Sequence, residues 1–234
     1  MIINSRIMIV AAHPDDLEIG MGQLLLELLK ERRGNSVSCC IVTGGGAAGN
    51  LAVRRREQGA MVAFLKRLAP TTFKGLHPAS YAFKDTELAP TKKLITYLEG
   101  VCKDQDVVFT HFPADTHQDH RALGVAIRPA CRFTRNVLFF QSYSALDFQP
   151  SIFFDFTREE MESEHGKLAL LNFHKSQIDR YAGSRQDIIA DMYSLAAYNG
   201  FLYKTTKRCA EGFVPWKMAL TDSPTAISKE KRKR

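Results

Sequence analysis

Ile7-Met8-Ile9-Val10-Ala11-Ala12-His13-Pro14-Asp15-Asp16 sets an imidazole and two carboxylates directly after a short apolar run. A second such run, Val107-Val108-Phe109-Thr110, is followed by His117-Gln118-Asp119-His120. A run of four to eight apolar residues bounded by polar turns reads as a buried strand of a parallel sheet. Two buried strands, each leading into His plus Asp, look like two halves of one divalent-metal site. In an open α/β sheet, ligands bind beyond the carboxyl ends of the strands. Clusters a hundred residues apart in sequence can therefore share one rim.

The segments between and around these runs support that sheet. Ile19, Leu24, Leu25, Leu28 and Leu29 recur at helical spacing before Gly34-Asn35. The spacing predicts strand at Val37–Thr43, helix at Val53–Leu68, strand at Phe73–His77, helix at Thr91–Lys103 and strand at Asp106–Phe112. Helix at His120–Phe133 and strand at Val137–Tyr143 follow, then strand at Ile152–Phe156 and helices at Thr157–Phe173 and Ile188–Tyr198. Regular alternation of this kind predicts a Rossmann-like α/β fold: a mostly parallel, doubly wound sheet with helices on both faces. With 234 residues, one domain over 1–220 is expected, followed by a basic, disordered tail at 221–234.

Composition excludes several classes. The net charge is +7, but Lys229-Glu230-Lys231-Arg232-Lys233-Arg234 carries +4 of it, leaving a nearly balanced body. Such a run reads as a solvated tail, so no nucleic-acid partner is expected. A basic module binding nucleic acid through that tail is the non-enzymatic alternative. The five cysteines are odd in number and lack zinc spacing, which points to a reducing compartment. No segment approaches the roughly 20 apolar residues of a spanning helix, and none resembles a signal peptide. A cytoplasmic protein without a membrane partner is expected; a homo-oligomer is compatible with the sequence.

A catalytic zinc site needs three N or O ligands and an open position. Fe2+, Co2+ and Mn2+ also suit imidazole and carboxylate. The clusters hold three histidines and three aspartates, more than three ligands require. The surplus suits a hydrolase, which keeps one carboxylate off the metal to accept a proton. A helix-capping turn, with Asp15 or Asp16 as the cap, is the competing explanation of the first cluster. Gly44-Gly45-Gly46-Ala47-Ala48-Gly49-Asn50 lacks the pattern of a phosphate cradle and reads as a substrate-side loop.

Ala12-His13-Pro14-Asp15-Asp16-Leu17-Glu18-Ile19-Gly20-Met21-Gly22 together with His117-Gln118-Asp119-His120 resembles the LmbE-like, or PIG-L, family of zinc-dependent N-acetylglucosamine deacetylases. Arg54-x-x-Glu57-x-x-Ala60, Phe83-Lys84-Asp85-Thr86-Glu87-Leu88, His174-Lys175-Ser176-Gln177 and Glu211-Gly212-Phe213 resemble later landmarks in the family's order. The similarity spans about residues 7 to 215. It implies zinc held by His13, Asp16 and His120, with Asp15 as general base. It also implies His117 as general acid or oxyanion-stabilising imidazolium, oriented by Asp119. Arg54 becomes a donor to sugar hydroxyls, and Asp85 a substrate-facing carboxylate. His174 supports the pocket wall, whereas His111 reads as structural. The implied substrate is an N-acetyl amino sugar or its conjugate; an amidase acting on a thiol-sugar conjugate is the alternative within the family. Two departures stand out: Gln23 where many relatives have Thr, and Gln118 where Pro is frequent.

Overall fold

The computed structural model describes residues 2–182 and 187–219, so the expected tail at 221–234 lies outside the described residues. Seven strands form one sheet: β1 (Arg6–Ala11), β2 (Ser36–Ile41), β3 (Phe73–Leu76), β4 (Val107–His111), β5 (Asn136–Phe140), β6 (Ile152–Phe156) and β7 (Cys209–Lys217). Their order is β3-β2-β1-β4-β5-β7-β6. The first five are mutually parallel, and β7 runs antiparallel to both its neighbours. The helices are α1 (Asp16–Leu28), α2 (Leu51–Leu68), α3 (Lys92–Val101), α4 (Gln118–Ala130), α5 (Arg158–Glu162), α6 (Lys167–Leu171), α7 (Lys175–Tyr181) and α8 (Ile188–Tyr203).

Side chains of a strand alternate between faces, and β1 divides accordingly. Ile7, Ile9 and Ala11 join one core with residues of α1 and α2, including Leu17, Met21, Met61 and Leu65. Met8, Val10 and Ala12 join another core with residues of α3 and α4, including Leu94, Leu98, Leu123 and Ile127. The doubly wound expectation holds. The chain reverses its order of strand addition between β1 and β4, and a crevice opens there beyond the strand ends. Both polar clusters lie at that point.

Three elements differ from expectation. The helix expected over Thr157–Phe173 is two short helices broken at 163–166. A Cβ on Gly166 would lie 2.4 Å from the carbonyl oxygens of Glu160 and Met161, so only glycine allows the turn. After the break, the Lys167 N–H bonds to Gln23 Oε1 at 3.0 Å, fastening α6 to α1. Gln23 thus has a packing role. Helix α7 and strand β7 were not expected at all. Pro215 obscures β7, and the structure seats it beside Leu138 at a register shift, where a ladder tolerates a missing N–H.

Helix α1 is itself broken at Met21 (φ −152°, ψ 27°). The carboxylate of Glu211 on β7 accepts the N–H groups of Gln23 (3.0 Å) and Leu24 (2.8 Å) after the break. Lys167 Nζ lies 2.8 Å from the same carboxylate, and both side chains are buried. Glu211 therefore caps a helix interruption beneath the site and neutralises a buried ammonium. Glu211→Ala leaves that ammonium unpaired and is expected to cost about 3–5 kcal/mol. Chemical denaturation of the variant and of Glu211→Gln, which retains the cap's shape, measures the loss.

Candidate metal centre and active site

Strand β1 ends at Ala11, and the chain turns through His13-Pro14-Asp15 into α1. Asp15 occupies the left-handed region at φ 94°, an uncommon conformation for a residue with a Cβ. It stands at the N-cap of α1, yet its side chain makes no capping hydrogen bond. Asp16 turns back instead, and its Oδ2 accepts the His13 N–H at 2.7 Å. The capping explanation of the two aspartates is thereby excluded. The strained turn directs both carboxylates toward the crevice.

Three side chains converge there, Asp16 through both of its oxygens. His13 Nδ1 is 3.3 Å from Asp16 Oδ2, His120 Nε2 is 3.4 Å from Asp16 Oδ1, and the two ring nitrogens are 3.3 Å apart. Ligands about 2.0–2.1 Å from a tetrahedral zinc are separated by roughly 3.3–3.4 Å. The donor set and its spacing fit such an ion. Each ligand ring is also gripped from behind, as metal-binding imidazoles are. His13 Nε2 meets Asp85 Oδ1 at 3.0 Å and Asp119 Oδ2 at 3.1 Å, and His120 Nδ1 meets Asp115 Oδ2 at 3.2 Å. His117 lies close enough to join His13 and His120, and His111 to join Asp16 and His120, as alternative metal-holding groups.

This geometry revises two expected roles. The Asp119 carboxylate does not orient His117. It accepts the N–H groups of Thr86 and Leu88 and turns its Oδ2 to His13; only the Asp119 backbone N–H reaches His117 Nδ1, at 3.2 Å. Asp85 is likewise occupied by His13 and by the Ala47 N–H (2.8 Å), rather than facing a substrate freely. Asp115 was not among the expected residues. Besides His120, it accepts from the His117 N–H and the Ser142 hydroxyl. Its position five residues before a candidate ligand histidine was the available signal.

Burial opposes a charged His120, but Asp16 and Asp115 outweigh it and push the ring up to about 9. Burial opposes charge on His13 too, and Asp16, Asp119 and Asp85 raise it well above its ordinary value. The metal-free chain therefore holds imidazolium where a metal needs neutral imidazole. Zinc uptake at pH 7 is expected to release about one to two protons per site, measured by calorimetry in buffers of different ionisation enthalpy. The raised His120 pKa also adds stability that is complete below the unfolded value of about 6.5. That stability fades as pH climbs through about 9 in the metal-free protein.

Asp15 lies off the three-donor set. Its Oδ1 meets Arg54 Nη2 at 3.0 Å; the same Nη2 donates to Pro14 O (2.6 Å), and Nη1 to Gly45 O (2.9 Å). Gly45 has φ +67°, and a Cβ there would lie 2.1 Å from Arg54 Nη1, so glycine is what admits the guanidinium. Arg54 lines the cleft but is 3% exposed with both terminal nitrogens engaged, a set of contacts that suits the counter-ion of Asp15 better than a donor to sugar hydroxyls. Burial raises the Asp15 pKa, Arg54 opposes, and the Asp16 charge adds to the rise, giving about 6. A carboxylate so poised is a competent proton acceptor near neutrality.

His117 stands at the N-cap of α4 with Nδ1 accepting, so its neutral ring carries the proton on Nε2. Burial lowers its pKa, and the His120 and His13 charges lower it further. The expected imidazolium is thus disfavoured, and the neutral ring is the available donor. His111 stacks on His120 at 3.9 Å and is fully buried, with its Nε2 accepting the Ala12 N–H at 3.1 Å. The same Nε2 lies 3.2 Å from Asp16 Oδ2, so His111 stands directly against the candidate ligands.

The later motifs assemble the wall behind Asp15. Glu57, one turn after Arg54 on α2, accepts from the Ser176 N–H (2.8 Å) and hydroxyl (2.6 Å) at the start of α7. That contact sets His174, which pairs with Glu18 Oε1 at 3.1 Å. His174 is fully buried and does not reach the cleft surface. The cleft above the candidate metal ligands has a volume of about 370 Å³, room for a small ligand. Ala47, Thr86, Tyr143, Ser144, Gln177 and Arg180 are among its lining residues.

Comparison with known proteins adds an independent line. The family model PIG-L, GlcNAc-PI de-N-acetylase, matches residues 8–131. The chain is 33% identical over 182 residues to YaiS of Escherichia coli K12, described as an uncharacterized deacetylase, covering 73% of this chain and 90% of that relative. N,N'-diacetylchitobiose deacetylase from Pyrococcus horikoshii superimposes with a TM-score of 0.71 at 21% identity, over 90% of this chain and 83% of the other. GalB, a 4-carboxy-2-hydroxymuconate hydratase from Pseudomonas putida KT2440, reaches 0.66 at 15% identity, over 94% and 99%. At such identities the structural likenesses speak for the fold. A hydratase among them shows that the fold does not dictate one reaction.

Proposed function

The chain belongs to the PIG-L (LmbE-like) deacetylase family, and from that premise we propose that it removes the N-acetyl group from an N-acetylglucosamine-type sugar or conjugate, using a divalent metal. The observation that carries this reading is a three-donor set at zinc spacing with an ionisable carboxylate beside it and off it. His13, Asp16 and His120 would hold Zn2+, with Fe2+, Co2+ or Mn2+ as substitutes. The ion, when bound, supplies a Lewis acid that polarises the acetamide carbonyl and activates water.

The remaining work falls to the chain's own side chains. Asp15, held by Arg54, takes a proton from the attacking water. As the C–N bond breaks, Asp15 returns that proton to the leaving nitrogen. Water and amide thus become acetate and a free amine. His117 donates its Nε2–H to the developing oxyanion, a role that neutral imidazole can fill. Asp85 and Asp119 fix His13, and Asp115 fixes His120, each keeping its ligand in one tautomer. Arg54→Lys loses the two-pronged hold and is expected to lower kcat by about 10²-fold with little change in KM. A donor to sugar hydroxyls would instead show itself mainly in KM.

The proposed partner is a small-molecule N-acetyl amino sugar or conjugate. Among the described residues no helix is long and apolar enough to cross a membrane. We place the activity in 1–220 and in the cytoplasm. An acetate-release screen of the purified protein over N-acetylglucosamine conjugates tests the reading. Acetate with a stoichiometric free amine supports it. Release of a larger acyl fragment from a thiol-sugar conjugate, without acetate from any conjugate, would replace it with the amidase alternative.

A further inference from the structure

Six buried side-chain atoms behind Asp15 have no hydrogen-bond partner among the described residues: Glu18 Oε2, Arg54 Nε, both amide atoms of Gln58, Tyr81 OH and His174 Nδ1. Glu18, Gln58 and His174 are fully buried, and Arg54 is 3% exposed. They come from elements packed around one region. Glu18 follows Asp15 by one helical turn on α1, and Arg54 and Gln58 are one turn apart on α2, hence on one face. His174 caps α7, which Glu57 docks against α2. The charges of Glu18, Asp15 and Glu57 all bear on His174, and that of Glu18 bears on Tyr81.

Buried polar atoms in folded proteins are paired, to protein or to ordered water. Here the chemistry selects water. Arg54 Nε can only donate, and Glu18 Oε2 accepts. His174 Nδ1 accepts when a neutral ring gives its Nε2–H to Glu18 and donates when the ring is imidazolium, while Gln58 and Tyr81 do both. A cation would face the Arg54 guanidinium, and an anion would face the Glu18 carboxylate. Only a small neutral molecule with two donors and two acceptors serves them all.

We propose that Glu18, Gln58 and His174 enclose ordered internal water that hydrogen-bonds Arg54 Nε and so braces, from behind, the guanidinium that holds Asp15. Gln58 is then a positioning residue for the base, an assignment that rests on the deacetylase reading above. Arg54 already spends its Nη groups on Asp15, Pro14 and Gly45. Its Nε is the nitrogen left without a partner among the described residues, and through it the interior can fix the plane of the fork. This also gives the Arg54-x-x-Glu57 and His174-x-Ser176-Gln177 segments one shared purpose: they wall the water in.

Two measurements test the proposal. In a crystal structure of the metal-loaded protein at about 1.5 Å or better, water is expected within hydrogen-bond distance of both Arg54 Nε and a Gln58 amide atom. A dry region, with these atoms paired to one another or left bare, overturns it. In kinetics, Gln58→Met keeps the bulk and removes the polar atoms. It is expected to lower kcat by about 10- to 100-fold, with KM within about threefold and with metal content and Tm unchanged. Gln58→Asn, whose amide still reaches water, should recover most of the rate. Unchanged kcat in Gln58→Met overturns the positioning role, as does a loss that Gln58→Asn does not relieve. Should no acetate be released from any substrate, the deacetylase reading fails, while the crystallographic solvent still decides whether the water is there.

Discussion

Alanine at His13, Asp16 or His120 is expected to abolish metal binding and activity together. Each substitution leaves two protein donors where a catalytic site needs three. Changing groups that only orient a ligand already costs about 10–100-fold in affinity or activity, so losing a ligand should exceed that range. The structure adds a graded control. Asp115→Asn keeps all three donors but weakens the hold on His120 Nδ1, now at 3.2 Å from the carboxylate. Its metal affinity should fall between wild type and His120→Ala. Metal content after dialysis, read by elemental analysis, orders the series; full occupancy in all three alanine variants would remove the site assignment.

The second large effect separates neighbouring aspartates. Asp15→Asn should retain metal and lose about 10²–10⁴-fold in kcat, the usual contribution of a positioned proton acceptor. The amide still fits beside Arg54 Nη2 but cannot take a proton. Asp16→Asn should instead release the metal, because its carboxylate meets His13 Nδ1 and His120 Nε2 through different oxygens. Metal loss in Asp15→Asn with retention in Asp16→Asn would exchange the two roles.

Much of this site was legible because its donors sit next to strand ends, where pattern and place coincide. Bringing the two clusters to one rim needed only a parallel sheet and two strands that end side by side; the choice of His13, Asp16 and His120 among them came from the family resemblance. What failed to show in the sequence was which carboxylate faces which ring. Asp119 is two residues from His117, yet the N–H groups of Thr86 and Leu88, arriving from a distant loop, hold its side chain toward His13. Arg54 illustrates the same limit: a guanidinium three residues before a glutamate reads as a substrate fork until Pro14 and Gly45 are seen to bind it. In the fold, four of the five parallel strands announced themselves through apolar runs, whereas β3 is the short Phe73-Lys74-Gly75-Leu76. Strand β7 did not, because Gly212 and Pro215 break the local pattern and only pairing with β5 and β6 makes it a strand. The split between α5 and α6 is likewise tertiary, since Lys167 bonds to Gln23 on α1 and not to its own helix.

Acetate release by one preparation, assayed as purified, after chelation and dialysis, and after stoichiometric zinc, tests the metal-dependent deacetylase most directly. The predicted result is turnover of an N-acetylglucosamine conjugate that falls to background without metal and returns with about one zinc per chain. The same treatment of Asp15→Asn should restore its metal but not its turnover. Acetate release that persists undiminished in the fully demetallated wild-type protein would contradict the account.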